Sequence, residues 1–407
     1  MTIDVRGLEA RHVLQTYKRA DVVFVRGEGS YLVDERGRRY LDFISGIGVV
    51  VLGHGHAGLA ETLADQARTL IQTSNLYFHP LQGQLAARLA ALSGLERTFF
   101  CNSGTEAVEA ALKFARRYWF TQGVRNRTDF VALQHGFSGR TMGALSVTAN
   151  AQYRDPFGPL VPGVTFVSPD DPASLEAAVT DRTAAVIAEP IQGEGGVRPL
   201  PAAFTAALER VTTATGTLLI ADEIQCGLGR TGRPFEYQAR GLTPDLVTLG
   251  KALGSGVPIG ATLVGAHVAA QIAPGDHGST YGGNALSTRA ALYVLEQLTG
   301  TADPTPYRGG GLIARAAELG AIFERALEGL KAGHPDLVVS VRGVGLMRGL
   351  ELAVDAAPVV TAALGAGLLV NRTAERVVRL LPPLTVTEED IQHAVAVLDR
   401  ALQGARS

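Results

Sequence analysis

Two stretches decide how this chain folds: "TLLIADEIQ", residues 217–225, and "DLVTLGKALGSG", residues 245–256. The first is an apolar run that ends in two acids, Asp222 and Glu223; the second ends in a single lysine, Lys251, before a glycine-rich segment. Apolar runs of this length read as strands buried on both faces. "DFVALQ" (129–134) and "AAVIAEP" (184–190) read the same way, and Ala/Leu-rich amphipathic segments alternate with them. That rhythm predicts an α/β fold built on a mostly parallel sheet wrapped by helices. Such sheets bind ligands at the carboxyl ends of their strands, which is where Asp222 and Lys251 fall.

Working outward, the 407 residues suffice for a large core, and 46% hydrophobic with 19% charged is ordinary for a soluble globular chain. A net charge of -2 and a pI near 6.5 supply no electrostatic reason to bind nucleic acid or an anionic membrane. Apolar runs fall well short of the roughly 20 residues of a membrane span, and "MTIDVRGLEARHV" is too charged for a signal peptide. The expectation is a cytoplasmic protein. Cys101 and Cys226 are too few for a metal cluster and read as buried thiols.

Near 301–311, "TADPTPYRGGG" reads as a loop, after which the pattern changes. A helix over 312–330, extended runs over 338–345, 347–354 and 377–384, and a last helix opened by a capping box from Thr387 to Asp390 predict a second, smaller α+β unit. The first 60 or so residues also look strand-rich. The expected division is a large unit, 61–290, and a small unit made of 1–60 and 291–407.

A buried lysine is costly unless paired or covalently committed, and desolvation makes such lysines Schiff-base formers. A buried carboxylate beside it would keep a pyridinium nitrogen protonated, as pyridoxal 5'-phosphate needs to act as an electron sink. On strand-end placement alone, a surface lysine and a helix-capping aspartate explain the pair equally well. "FFCNSGTEAVEAALKFARRY" (99–118) tips the balance. A strand end runs into Ser103, Gly104, Thr105 and Glu106, a capping-box spacing that opens a strong helix. The free N–H groups and hydroxyls there suit a phosphate. A capping box by itself is a common structural device; beside Asp222 and Lys251 it becomes a phosphate cup for the same cofactor.

The blocks "CNSGTEAVEAALKFAR", "HGFSGRTMGALS", "EPIQGEGGV", "DEIQCGLGRTG", "TLGKALGSGVPIGA" and "HGSTYGGN" resemble, in order and spacing, those of class III, fold-type I aminotransferases. The resemblance runs from about residue 28 to the C-terminus. Within that family the chain looks most like the acetylornithine aminotransferase group. "GFSGRTMG" is similar to the branch acting on aminoadipate semialdehyde bound to an amino-group carrier protein in lysine biosynthesis.

The resemblance implies that Lys251 carries the cofactor and shuttles the proton, while Asp222 pairs with the ring nitrogen. It further implies that Ile224 and Phe137 pack on the two ring faces, Gln225 reaches the phenolic oxygen, and Ser103, Gly104 and Thr105 hold the phosphate. Ser279 and Thr280 would reach a neighbouring subunit's substrate and phosphate, making a homodimer the minimum active unit. Arg140 resembles the arginine that holds the amino donor's distal carboxylate. Arg379 is similar to the arginine that binds 2-oxoglutarate or glutamate, with Glu194 as the acid that pairs with it when the other substrate enters. Arginine suits bidentate carboxylate recognition, and such a gate lets one pocket take two differently charged ligands. The implied reaction moves the terminal amine of an N-blocked ornithine or lysine derivative to 2-oxoglutarate, in arginine or lysine biosynthesis. Other fold-type I enzymes, such as an ornithine or 4-aminobutyrate aminotransferase or an aminomutase, are the alternative.

Departures bear on substrate. Ile47 stands where free-ornithine enzymes carry a tyrosine, which fits a blocked α-amino group. Ser138 replaces a histidine common in acetylornithine enzymes and favours the lysine branch. Gly227, Gly229 and Gly232 match G-x-G-x-x-G, but no convincing helix follows and no ribose-binding acid ends the next strand, so a dinucleotide site is set aside. His54 and His56, alternate residues in a glycine-rich turn, read as structural, and no metal site is expected.

Overall fold

The computed structural model describes residues 3–301 and 310–405. The loop expected over 301–311 therefore lies almost entirely outside the described residues.

In chain order the strands are β1 (Phe24–Glu28), β2 (Tyr31–Asp34), β3 (Arg39–Asp42), β4 (Arg97–Cys101), β5 (Asp129–Leu133), β6 (Val164–Val167), β7 (Thr183–Ala188), β8 (Ile191–Gln192) and β9 (Arg198–Pro199). They continue as β10 (Leu218–Asp222), β11 (Leu246–Leu249), β12 (Gly260–Val264), β13 (Val338–Val344), β14 (Met347–Leu352), β15 (Leu368–Leu369), β16 (Asn371–Thr373) and β17 (Val377–Leu380).

The central sheet has seven strands in the order β4-β12-β11-β10-β7-β5-β6. Pairing is parallel from β11 through β10, β7 and β5 to β6, and antiparallel where β12 joins β11 and β4. All six residues of β7, all five of β10 and all four of β11 are buried, as their mostly aliphatic sequences require when helices cover both faces. Because β10 and β11 are adjacent and parallel, with Asp222 opposite Thr248, the segments after them emerge side by side.

Two four-stranded sheets flank this core. One has the order β13-β14-β17-β16; the other joins β1, β2 and β3 to β15, so residues from both ends of the chain share a sheet. The helix Gly311–Gly333 packs on the first of these, burying Leu319, Phe323 and Leu327. The last helix, Glu388–Gly404, opens with the expected capping box: Thr387 accepts from the Asp390 N–H and Asp390 from the Thr387 N–H. No helix among the described residues is long and apolar enough to cross a membrane.

Candidate active site

The segment after β4 turns at Ser103 into the helix Gly104–Thr121. Ser103 accepts from the Glu106 N–H at 3.4 Å, but Glu106 reaches back to the Asn102 N–H and not to Ser103. The expected reciprocal box is thus shifted by one residue on one side. Gly104 sits against Ile224: a Cβ at 104 would lie 2.8 Å from the Ile224 Cδ1, so a side chain there would displace Ile224.

Ile224 and Gln225 follow Asp222 in a turn whose anchor is Glu223. The Glu223 carboxyl accepts from the Tyr237 N–H at 2.6 Å and from the Cys226 thiol at 3.2 Å. Burial pushes it up to about 7. Asp222 accepts from the Ile224 N–H at 3.2 Å through one oxygen; its other oxygen, Oδ2, is buried with no partner among the described residues.

Lys251 follows β11 with φ 33°, a left-handed backbone that a residue with a Cβ rarely adopts. Backbone held there by its surroundings clusters at functional sites. Gly250, just before it, packs closely on the helix start: a Cβ at 250 would lie 3.1 Å from the Gly104 backbone. Burial lowers the Lys251 ammonium below the usual lysine range, Arg379 adds to the fall, and the carboxyls of Glu194, Glu189 and Asp222 oppose it.

A cavity of about 240 Å³ joins these elements; its walls include Thr105, Phe137, Arg140, Glu194, Asp222, Ile224, Gln225 and Lys251. Glu189 also lines it, a residue that the sequence reading quoted but did not single out. Its carboxyl accepts from the Phe137 N–H at 2.9 Å and the Gly193 N–H at 3.1 Å, so one buried side chain ties the Phe137 loop to the Glu194 loop. Burial raises both Glu189 and Asp222, and the neighbouring Asp222 charge raises Glu189 further. The available signal was the one already used for Asp222: an acid directly after a buried apolar run.

Arg379, on β17, is fully buried and donates to Glu194 at 2.5 Å and to Gln225 at 3.3 Å, while its Nη2 has no partner among the described residues. Burial would raise the Glu194 carboxyl, but the charge and hydrogen bond of Arg379, with Lys251 nearby, hold it below the usual carboxylate range. Arg140 is exposed, with its guanidinium 3.6 Å from the Tyr153 ring centroid and 5.6 Å from that of Phe137. Thr105 fixes its loop: its hydroxyl accepts from the Arg140 and Thr141 N–H groups, both at 3.3 Å.

Ser279 and Thr280 are not among the residues that line this cavity. They lie in a turn bound to the segment around Asn75, whose amide donates to the Ser279 carbonyl at 3.1 Å. His54 is 2.7 Å from Asp42, and His56 caps the helix Ala57–Thr69, so both are engaged structurally. Gly229 and Gly232 adopt positive φ in a tight turn that no long helix follows.

These groups fit pyridoxal 5'-phosphate. The orphaned acceptor on Asp222 matches a protonated ring nitrogen, Phe137 and Ile224 offer apolar surfaces, and the helix N-terminus at Gly104 and Thr105 faces the same cavity as Lys251.

A family model described as Aminotransferase class-III matches residues 14–402. Acetylornithine aminotransferase of Archaeoglobus fulgidus is 46% identical, over 96% of this chain and 98% of that protein. The crystal structure of ornithine aminotransferase from Toxoplasma gondii superposes with a TM-score of 0.91 at 32% identity, covering 98% of this chain and 94% of that one. An amine transaminase from an uncultivated Pseudomonas species, solved with pyridoxal phosphate bound, superposes with a TM-score of 0.86 at 32% identity, covering 97% and 98%.

Proposed function

The chain belongs to the class-III aminotransferases and is a pyridoxal-phosphate-dependent transaminase, and we propose that it transfers the terminal amine of an N-blocked ornithine or lysine derivative to 2-oxoglutarate, and in reverse from glutamate to the semialdehyde. The observation that carries this reading is the convergence of Lys251, Asp222 and the Glu194–Arg379 pair on one cavity that Arg140 borders.

When bound, pyridoxal phosphate supplies the electron sink that stabilises negative charge at the substrate carbon bearing the amine. The Asp222 carboxylate holds the ring nitrogen protonated. Phe137 and Ile224 clamp the ring, Gln225 meets its phenolic oxygen, and Ser103, Gly104 and Thr105 hold the phosphate. The Lys251 Nζ, already depressed by burial, is the base that takes the proton from the substrate carbon and returns it.

Two substrates alternate in one site. With 2-oxoglutarate or glutamate, Glu194 moves aside and Arg379 takes the α-carboxylate. With the N-blocked amine, Glu194 neutralises Arg379 and Arg140 holds the distal carboxylate. Ile47 carries no polar group at the position where free-ornithine enzymes have a tyrosine, which supports a blocked substrate.

The reading extends to a cytoplasmic homodimer with shared sites. Ser279 and Thr280 lie beside the segment carrying Leu76, Tyr77 and Phe78, each at least 71% exposed, which supports burial of this face against a second copy. A division into units 61–290 and 1–60 with 291–407 is supported by the pairing of β15 with β3.

The test is spectroscopic. Holoenzyme is mixed, without 2-oxoglutarate, with N-acetylornithine, free ornithine or carrier-protein-linked lysine. Bleaching of the cofactor's absorbance by carrier-linked lysine far more efficiently than by acetylornithine places the enzyme in lysine biosynthesis; the reverse places it in arginine biosynthesis. Preference for free ornithine overturns the reading.

A further inference from the structure

Ser279 and Thr280 lie outside the cavity of their own chain, and the reading above, on which this inference rests, takes them into the site of a second copy. Their loop, which follows β12, is held from two sides by named contacts.

On one side stands the helix Gly104–Thr121, the same helix whose N-terminus faces the catalytic cavity. Lys113 and Arg117 are four residues apart and so share one face of it. Arg117 Nε donates to Asp276 Oδ2 at 2.8 Å, and Lys113 Nζ donates to His277 Nδ1 at 2.8 Å. The same Asp276 oxygen accepts from the Ala273 N–H at 2.7 Å, which closes the loop on itself. The His277 ring stacks at a tilt on Phe99 of β4, with centroids 4.8 Å apart, and meets Phe114 edge-on at 5.7 Å. Burial and the neighbouring Lys113 charge lower the imidazole below the usual histidine range, so Nδ1 stays an acceptor.

On the other side Ser279 Oγ accepts from the Gly282 N–H at 3.0 Å and from the Asn102 amide at 3.3 Å. Asn102 immediately precedes Ser103, so the loop is tied both to the start of the helix and to its later turns. The Gln72 amide donates to the Thr280 carbonyl. The Thr280 hydroxyl, by contrast, has no hydrogen-bond partner among the described residues, and the residue is exposed. Asp276, His277 and Ser279 all hold the loop, and the hydroxyl that follows them is left for a ligand.

We propose that Asp276 and His277 are positioning residues for the cofactor phosphate: clasped by Arg117 and Lys113, they set the loop so that the Thr280 hydroxyl donates to the phosphate in a second copy's site. Fixing the loop in advance removes its ordering entropy from the binding step, so losing the clasp weakens binding without touching the phosphate. One helix thereby registers the phosphate cup of its own site and the group it lends to the other.

The experiment is a double-mutant cycle on cofactor retention. Release of pyridoxal 5'-phosphate from diluted holoenzyme is followed by absorbance in wild type, Thr280→Val, His277→Ala and the double variant. Each single variant should release cofactor about tenfold faster or more, as expected for a lost hydrogen bond to a charged group. The double variant should stay within about twofold of Thr280→Val, because His277 acts through Thr280 and the two effects do not add. Arg117→Met, which frees Asp276 without altering the loop, should repeat the His277→Ala result. Wild-type release in His277→Ala or Arg117→Met overturns the inference, as do additive losses, about a hundredfold, in the double variant; both leave the shared site intact. Wild-type release in Thr280→Val overturns the reading on which the inference rests.

Discussion

Arg379 Nη1 lies 2.5 Å from Glu194 Oε1, yet the two side chains differ in exposure: Arg379 is fully buried and Glu194 is 36% exposed at the cavity. The acid can therefore swing toward solvent while the guanidinium, held also by Asn371 at 3.2 Å, stays in place.

This asymmetry predicts separable substrate effects. Arg379→Ala should raise KM for 2-oxoglutarate by about 30-fold or more, since truncating one partner of a buried charge pair costs about 2–5 kcal/mol. Arg140→Ala should spare 2-oxoglutarate and weaken the N-blocked amine. The two half-reactions, followed separately by stopped-flow absorbance, check this; equal losses in both for either variant would refute the division of labour.

Lys251→Ala should retain its fold and bind cofactor without covalent linkage, removing the visible band. Turnover should fall by about a thousandfold or more, as expected when a general base that also carries the cofactor is lost. Absorbance spectra and steady-state rates test it, and near-normal turnover would sink the assignment.

Asp222→Asn replaces the carboxylate whose Oδ2 is unpartnered with an amide that cannot stabilise a ring cation. A hydrogen bond to a charged group contributes about 1.5–3 kcal/mol. Turnover should accordingly fall between about tenfold and a few hundredfold, with the visible band shifted and cofactor retained. A variant with wild-type kcat would place the ring nitrogen elsewhere.

The pH dependence of stability offers a separate check through Glu223. Burial raises its carboxyl from 4.5 to about 7, so the folded protein holds a proton that the unfolded chain releases. Stability from this group is fully present below about pH 4.5 and is lost as pH rises toward 7. Glu223→Gln keeps an acceptor for the Tyr237 N–H and cannot ionise. Its Tm relative to wild type should thus climb between pH 5 and 8; a constant difference in thermal melts over that range would count against a protonated Glu223.

Much of the architecture was legible beforehand. β5, β7, β10 and β11 appeared as mostly apolar runs because strands covered on both faces leave few positions open to solvent. Asp222 and Lys251 could be placed at strand ends for the same reason. Glu189 occupies an equivalent position after β7, but its interest lies in which N–H groups it meets, those of Phe137 and Gly193, and no local pattern encodes that. The half-shifted cap at Ser103 and Glu106 likewise depends on how the turn from β4 enters the helix.

By itself, then, the sequence determined the elements: apolar periodicity and caps act over a few residues, so they can be read without the fold, and the motif blocks tied those elements to a family. Only the tertiary structure decided which of many similar groups share an environment. Among the arginines, Arg379 is buried against Glu194 while Arg140 stands exposed on Tyr153. The physical reason is that desolvation and charge pairing act across space between residues far apart in the chain, 185 positions for Arg379 and Glu194, and no local run of residues carries that information.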